Sequence, residues 1–322
     1  MTLSEGLLVL AAETPVDEIS LNFNPGTVVL LNVILGLIMF GVALDVRVSE
    51  LRTLKNAPVA VAVGLLAQFL MLPALTFGLT QVLDPAPSIA LGMILVGASP
   101  GGNMSNFITH VARGNTLLSV GMTGVSTILA VVLTPLNFAF WGSLDEDTDA
   151  LMREVSLNPV ELVGTVALLL GVPVALGMWV RAKKPALADK LHKPMRIASL
   201  VFFGLFLLVA FASNLQNFVD YIGFVALAVL LHNGIALASG YGAAAALRLP
   251  ERDRRAISIE VGIQNSALSL ALIFSFFDGL GGMALVAAWW GIWHIIAGFT
   301  LAGFWSRRPT PEPLPVDEPA AS

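Results

Sequence analysis

The sequence contains no cysteine, which excludes a disulfide framework and any thiolate metal site. Charge is scarce as well: Asp, Glu, Lys and Arg make up 12% of the 322 residues, while 56% are hydrophobic. A mean hydropathy of +0.83 is too high for a soluble domain of this length. No lysine falls inside a long apolar run, and neither His-x-x-x-His nor Glu-x-x-His occurs. An intramembrane peptidase or transferase needs a paired set such as Ser–Lys, two facing Asp or a His with a metal partner, so an enzyme is only a remote alternative. The N-terminus offers one short apolar run, Gly6 to Ala12, with no basic residue before it. That fits neither a membrane span nor a secretory leader. The net charge of -5 sums two faces of a membrane, so its sign identifies no partner, and nucleic acid is not expected as one.

What the chain does have is a series of apolar runs of about 20 residues, the length of a helical span rather than of a barrel strand. Runs bounded by charges or prolines give nine candidate spans, at 26–44, 57–82, 86–112, 115–141, 160–180, 197–214, 222–247, 257–277 and 283–305. The expected class is an all-α polytopic membrane protein. Placing the N-terminus outside puts 16 of the 17 basic residues inside and leaves only Arg153 outside, as the positive-inside rule requires. The reading is N-out and C-in, multi-pass in the inner (cytoplasmic) membrane, with the lipid bilayer as solvent. Residues 1–25 are expected as an extracytoplasmic tail, 26–306 as the transmembrane domain and the proline-rich 307–322 as a disordered cytoplasmic tail.

Two spans are broken internally. The third meets Pro100-Gly101-Gly102 before Asn103-Met104-Ser105-Asn106, and the eighth carries Glu260-Val261-Gly262-Ile263-Gln264-Asn265-Ser266. Proline removes a backbone donor and glycine favours unwinding. Discontinuous helices in matching positions of two halves point to a transporter site between inverted repeats. The third and eighth spans are five apart, and an odd repeat inverts its second copy. The alternative is a pair of packing kinks. Glu260 is the only carboxylate placed deep in a span, where a charge costs about 2.5 to 3.5 kcal/mol and so faces a packed interior or a cavity. Its bland alternative is an interfacial pair with Arg254 or Arg255.

At these stretches the chain resembles the bile acid:sodium symporter family. The resemblance rests on Ser99-Pro-Gly-Gly-Asn-Met-Ser-Asn106, Ala112-Arg-Gly-Asn115, Leu118-Ser119, Ser126-Thr127 and Ile259-Glu-Val-Gly-Ile-Gln-Asn-Ser266. Met39-Phe40-Gly41, Ala67-Gln68-Phe69, Leu231-His-Asn-Gly234 and Trp293-His294 extend it from about residue 27 to 305. It implies two crossed discontinuous helices in a core domain of spans two to four and seven to nine. A panel domain of spans one, five and six would rock against that core. Bacterial relatives typically have ten spans, and this chain lacks the first.

The resemblance also implies two sodium ions and no enzymatic cofactor. One sodium site uses Ser105, Asn106, Ser119, Thr123 and Glu260. The other uses Gln68, Gln264, Glu260 and the carbonyls of Val261 and Ile263. Ser119 and Thr123, four apart, share a helix face; alone, such a pair equally serves as helix glue. The substrate implied is an organic anion, a bile acid or small carboxylate, met at half-helix N-termini by Asn103 and Asn265. His294 is carried over as a substrate contact, with a structural role as its alternative. His232 reads as structural, and His110 lies near the inner surface without a clear partner. Bacterial relatives often carry Thr at position 103, so the head-group contacts do not follow from the family.

The function expected is sodium-coupled import of that anion by alternating access. A proton-coupled or exporting carrier of the same superfamily is the alternative. Arsenite export is disfavoured, because no thiol is present to handle a metalloid.

Overall fold

Proline and glycine decide where these helices begin and end. In a computed structural model of the chain, the residues described are 17, 33, 36–44, 54–154, 159–213, 215–277 and 279–308. Most of the expected N-terminal tail, nearly all of the C-terminal one and the start of the first span lie outside them. Helix α1 covers 36–44. Helix α2 runs from Pro58–Leu83, opening with proline in its first turn, where the missing N–H costs nothing. Next come α3 (Pro87–Ala98), α4 (Met104–Val111), α5 (Thr116–Gly142) and α6 (Glu146–Glu154). They are followed by α7 (Pro159–Lys183), α8 (Pro185–Ser213), α9 (Leu215–Ala246), α10 (Glu251–Gly262), α11 (Ser266–Phe276) and α12 (Gly281–Ser306).

Among the described residues, five helical segments are long and apolar enough to cross a membrane: Pro58–Leu83, Thr116–Gly142, Val166–Lys183, Ile222–Ala246 and Gly281–Ser306. Two further crossings are split. The halves α3 and α4 have 12 and 8 residues, and α10 and α11 have 12 and 11. At 1.5 Å per residue the longest half reaches about 18 Å, well short of a hydrocarbon core of about 30 Å. Each half therefore ends inside the protein, and its end must be satisfied there.

The half-helices α3, α10 and α11 lie inside the bundle, while α4 buries only Ser105, Ile108 and Thr109. Every residue of α3 from Ser88 to Ala98 is buried, and so is α10 from Arg255 to Gly262. Such all-round burial marks a helix enclosed by protein. Large apolar side chains on the long helices, such as Leu70 and Leu168, are instead more than half exposed, as lipid-facing positions are. Glycine permits the closest contacts. A Cβ at Gly92 of α3 would stand 2.8 Å from the Met283 backbone of α12, and one at Gly240 of α9 would stand 2.9 Å from the Ile257 carbonyl of α10.

Outside the apolar layer, α6 is a short acidic helix that the span reading does not include. Asp145 starts it by accepting from the Thr148 N–H at 3.1 Å. That backbone bond is the main reason its carboxyl sits below the ordinary Asp value.

Candidate functional site

The two breaks meet in the middle of the bundle. Pro100 to Gly102 and Ile263 to Asn265 run antiparallel, with Gly101 opposite Gln264. The Gly102 N–H donates to the Ile263 carbonyl at 2.7 Å, and the Asn265 N–H donates to the Pro100 carbonyl at 2.9 Å. These two bonds satisfy backbone that has left its helices, as an interior without water demands.

The free carbonyls at the inner helix ends find side-chain donors. Thr134 Oγ1 donates to Ala98 O at 2.8 Å, Gln68 Nε2 to Ser99 O at 2.7 Å, and Asn233 Nδ2 to Gly262 O at 2.7 Å. Thr134→Val keeps the side chain's shape and removes one of these donors. It is expected to destabilise the protein by about 1 to 3 kcal/mol, read as a lower melting temperature in detergent. An unchanged melting temperature would show that Ala98 O does not depend on it.

Glu260 lies two residues before the end of α10 and is fully buried. Ser105 Oγ donates to its Oε2 at 2.6 Å, Ser119 Oγ to the same oxygen at 3.2 Å, and Thr123 Oγ1 to Oε1 at 2.7 Å. Asn106 Oδ1 lies 2.9 Å from Ser119 Oγ and 3.1 Å from Thr123 Oγ1, competing with the carboxylate for the one proton each hydroxyl carries. All five residues of the first expected site are thus in mutual contact, drawn from α4, α5 and α10. Thr109, absent from the sequence reading, adds a hydroxyl 3.4 Å from Ser119 Oγ.

The alternative of an interfacial Arg pair for Glu260 does not hold. Arg255 bonds Glu251 at 3.0 Å, and Arg254 lies 3.9 Å from the same carboxylate while donating to Leu249 O. What surrounds Glu260 is a set of neutral oxygens around one carboxylate, the donor chemistry that a hard, weakly held cation takes.

The second expected set lies around the crossing. Gln68 Nε2 donates to Gln264 Oε1 at 2.9 Å, and Gln264 Nε2 donates to Val261 O at 2.6 Å. Gln68 sits in a wide turn of α2, Ala67–Met71, of the π type common at functional sites. Its Oε1 is buried without a hydrogen-bond partner. The Ile263 carbonyl already serves Gly102 and keeps one further lone pair. The Glu260 carboxylate also borders this set, since its Oε1 lies against Gly101, the residue opposite Gln264 at the crossing.

Asn103 and Asn265 stand at the starts of α4 and α11, beside the crossing. Asn265 caps its helix by accepting from the Leu268 N–H at 3.1 Å, whereas the Asn103 side chain makes no cap bond. His294 is buried in α12 with its ring edge-on to Trp290, and its Nδ1 has no hydrogen-bond partner. No hydrogen bond among the described residues joins it to either asparagine. His232 also packs against Trp290, and its Nε2 lies 2.6 Å from Thr76 Oγ1, an arrangement that suits a structural histidine. His110 is exposed in the last turn of α4.

Comparison with known proteins identifies the family. Residues 32–221 match the model of the Sodium Bile acid symporter family. The uncharacterized sodium-dependent transporter YocS of Bacillus subtilis is 32% identical over 278 residues, 86% of this chain and 83% of that protein. A probable sodium/metabolite cotransporter, the chloroplastic BASS1 of Arabidopsis thaliana, is 32% identical over 86% of this chain and 66% of its own. The human ileal sodium/bile acid cotransporter is 28% identical over 76% of this chain and 68% of its own. These relatives bear transporter names, not enzyme names, and the longest of the three alignments is too extensive to omit the stretch around Glu260. The chain is a multi-pass membrane protein and belongs to the sodium bile acid symporter family.

Proposed function

We propose that the protein is a sodium-coupled symporter that imports an organic anion by alternating access. The observation that carries this reading is the buried Glu260 carboxylate, which takes three hydroxyl donors with Asn106 Oδ1 beside them and has no basic partner among the described residues. A cation entering there replaces the hydroxyl hydrogens that now point at the carboxylate. Ser105, Asn106, Ser119 and Thr123 then turn oxygen lone pairs toward it. A second sodium is assigned to Gln68, Gln264, Glu260 again and the carbonyls of Val261 and Ile263, where the unpartnered Gln68 Oε1 supplies a ready ligand.

The anion is assigned to the half-helix N-termini at Asn103 and Asn265, whose partial positive charge suits a carboxylate. His294 is the third contact proposed. Its class is a bile acid or a small carboxylate.

The proposal includes nine spans in the inner membrane with N-out, C-in orientation and an inverted repeat. Spans two to four and seven to nine form a core, and spans one, five and six form a panel. The expected tails at 1–25 and 307–322 flank this domain. Two sodium ions entering with one monovalent anion carry one net positive charge, worth about 2.3 kcal/mol per 100 mV of membrane potential.

Uptake is therefore expected to be electrogenic and sigmoidal in sodium, and to vanish when choline replaces sodium at constant pH. A hyperbolic, electroneutral response would overturn the two-ion scheme, and uptake that survives in choline would overturn sodium coupling. A thermal-shift screen of taurocholate, pyruvate and related carboxylates, each with and without sodium, identifies the anion, because a coupled ligand and ion stabilise together.

A further inference from the structure

Below the Glu260 cluster, the three helices that carry it are tied together at one end. Helix α4 is capped at its C-terminus by Ala112, α5 is capped by Asn115, and α10 begins at Glu251. Ala112 O accepts from Arg255 Nη1 at 3.0 Å. Asn115 Oδ1 caps α5 by accepting from the Leu118 N–H at 3.1 Å, while Asn115 Nδ2 donates to Asp253 Oδ1 at 2.8 Å. The Asn115 N–H donates to Arg252 O at 2.9 Å. Arg255 also donates to Trp305 O at 3.2 Å, to Arg308 O at 3.4 Å and to Glu251 at 3.0 Å, with its guanidinium 5.7 Å from the Trp305 ring centre. Tyr241 of α9 stacks on Trp305 and donates to Glu251 at 2.8 Å, closing the circuit.

Arg255 is 2% exposed. A buried guanidinium is retained at such a place only when its donors are met, and here they are met by carbonyls from two other helix ends and one carboxylate. Glu260 follows Arg255 by five residues, about 7.5 Å along the same helix. Ser119 follows Asn115 by one helical turn, and Asn106 precedes Ala112 by less than two. A small rotation of any one helix about this knot therefore moves its ligands by a large fraction of a bond length.

We infer that the Arg255–Asp253–Asn115 knot holds α4, α5 and α10 in the register that the cation site needs, so that Arg255 and Asn115 are positioning residues for cation affinity. The inference rests on the sodium reading of the Glu260 cluster. None of these residues touches the proposed ion.

The test is the sodium dependence of the melting temperature of the full-length purified protein, titrated with sodium chloride against choline chloride at constant ionic strength. Arg255→Gln is expected to raise the sodium half-saturation about tenfold, the lower end of the loss seen when a group that orients metal ligands is removed. Arg255→Lys should recover part of it. Asn115→Asp keeps the oxygen that caps α5 but sets a carboxylate against Asp253, and it should weaken sodium to a similar degree. That second variant serves if Arg255→Gln does not fold. A lower melting temperature in choline with an unchanged sodium half-saturation in Arg255→Gln, or in Asn115→Asp where Arg255→Gln does not fold, would reduce the knot to a plain structural brace and overturn the inference. A wild-type protein whose melting temperature ignores sodium would overturn the sodium reading itself, and the inference with it.

Discussion

Glu260→Gln is expected to abolish sodium-dependent uptake and, in the same protein, to raise the melting temperature in choline. The two effects have opposite sign because the carboxylate has no basic partner among the described residues when the site holds no ion. Burying it costs solvation that three hydroxyl donors only partly return. The amide keeps the side chain's length and an acceptor oxygen for Ser105 or Thr123, so the site's shape survives. With sodium present the balance inverts, since the ion loses its one anionic ligand. Removing one member of a buried charge pair costs about 3 kcal/mol, on the order of a hundredfold in affinity. Melting curves in sodium and in choline, taken with flux assays in vesicles, check both signs. Wild-type uptake in the variant would mean that the cation is held elsewhere.

Gly101→Ala is the second variant expected to have a large effect. Gly101 passes directly over the Glu260 side chain, and a Cβ there would overlap carboxylate Oε1 and stand 2.8 Å from Cδ. The crossing strand cannot retreat, because Gly102 on one side and Pro100 on the other hold the bonds to Ile263 and Asn265. The carboxylate must swing instead, giving up the 2.6 and 2.7 Å bonds from Ser105 and Thr123. We expect loss of sodium-induced stabilisation as complete as in Glu260→Gln, now with a lower melting temperature in choline. Gly78→Ala is the matched control: nothing lies within 4 Å of its Cβ position, and alanine is the better helix former by about 1 kcal/mol. Equal sodium responses in the two alanine variants would show that the close approach at Gly101 has no bearing on the ion.

Much of this site was legible because its signals are local. Pro100-Gly101-Gly102 and Gly262 announce broken helices by their own backbone preferences, and a glutamate in an apolar run announces a polar interior. The four-residue spacing of Ser119 and Thr123 put them on one face without knowledge of what they face. The remaining features depend on distant partners. Asn233 donates to a carbonyl 29 residues away and Gln68 to one 31 residues away, and no pattern in the sequence pairs them. Gln68 also sits in a wide helical turn whose sequence, Ala-Gln-Phe-Leu-Met, contains no breaker. Arg255 reads on the sequence as a mate for Glu260, five residues on, but that separation is about 1.4 turns and leads away from it. The arginine's partners are carbonyls of Ala112 and Trp305, 143 and 50 residues distant. His294 was carried in by family likeness alone, and its ring lies against Trp290 with no bond to the two asparagines.

The pair of hydrogen bonds at the crossing has one more consequence. Advancing Gly102 to Asn265 and Pro100 to Ile263 exchanges the two bonds, so a single step of 163 residues maps the crossing onto itself. The same step carries Ser99 onto Gly262, and each of those carbonyls accepts a side-chain amide, from Gln68 and from Asn233. It carries Gly97 onto Glu260. At Gly97 there is no room for an acid, since a Cβ would stand 2.6 Å from Thr76 Oγ1 and 3.4 Å from His232 Nε2. The backbone of the crossing is thus its own partner under rotation while its charge is not. The carboxylate therefore stands on one strand of the crossing only, and the exchange that relates the two backbones has no counterpart in charge.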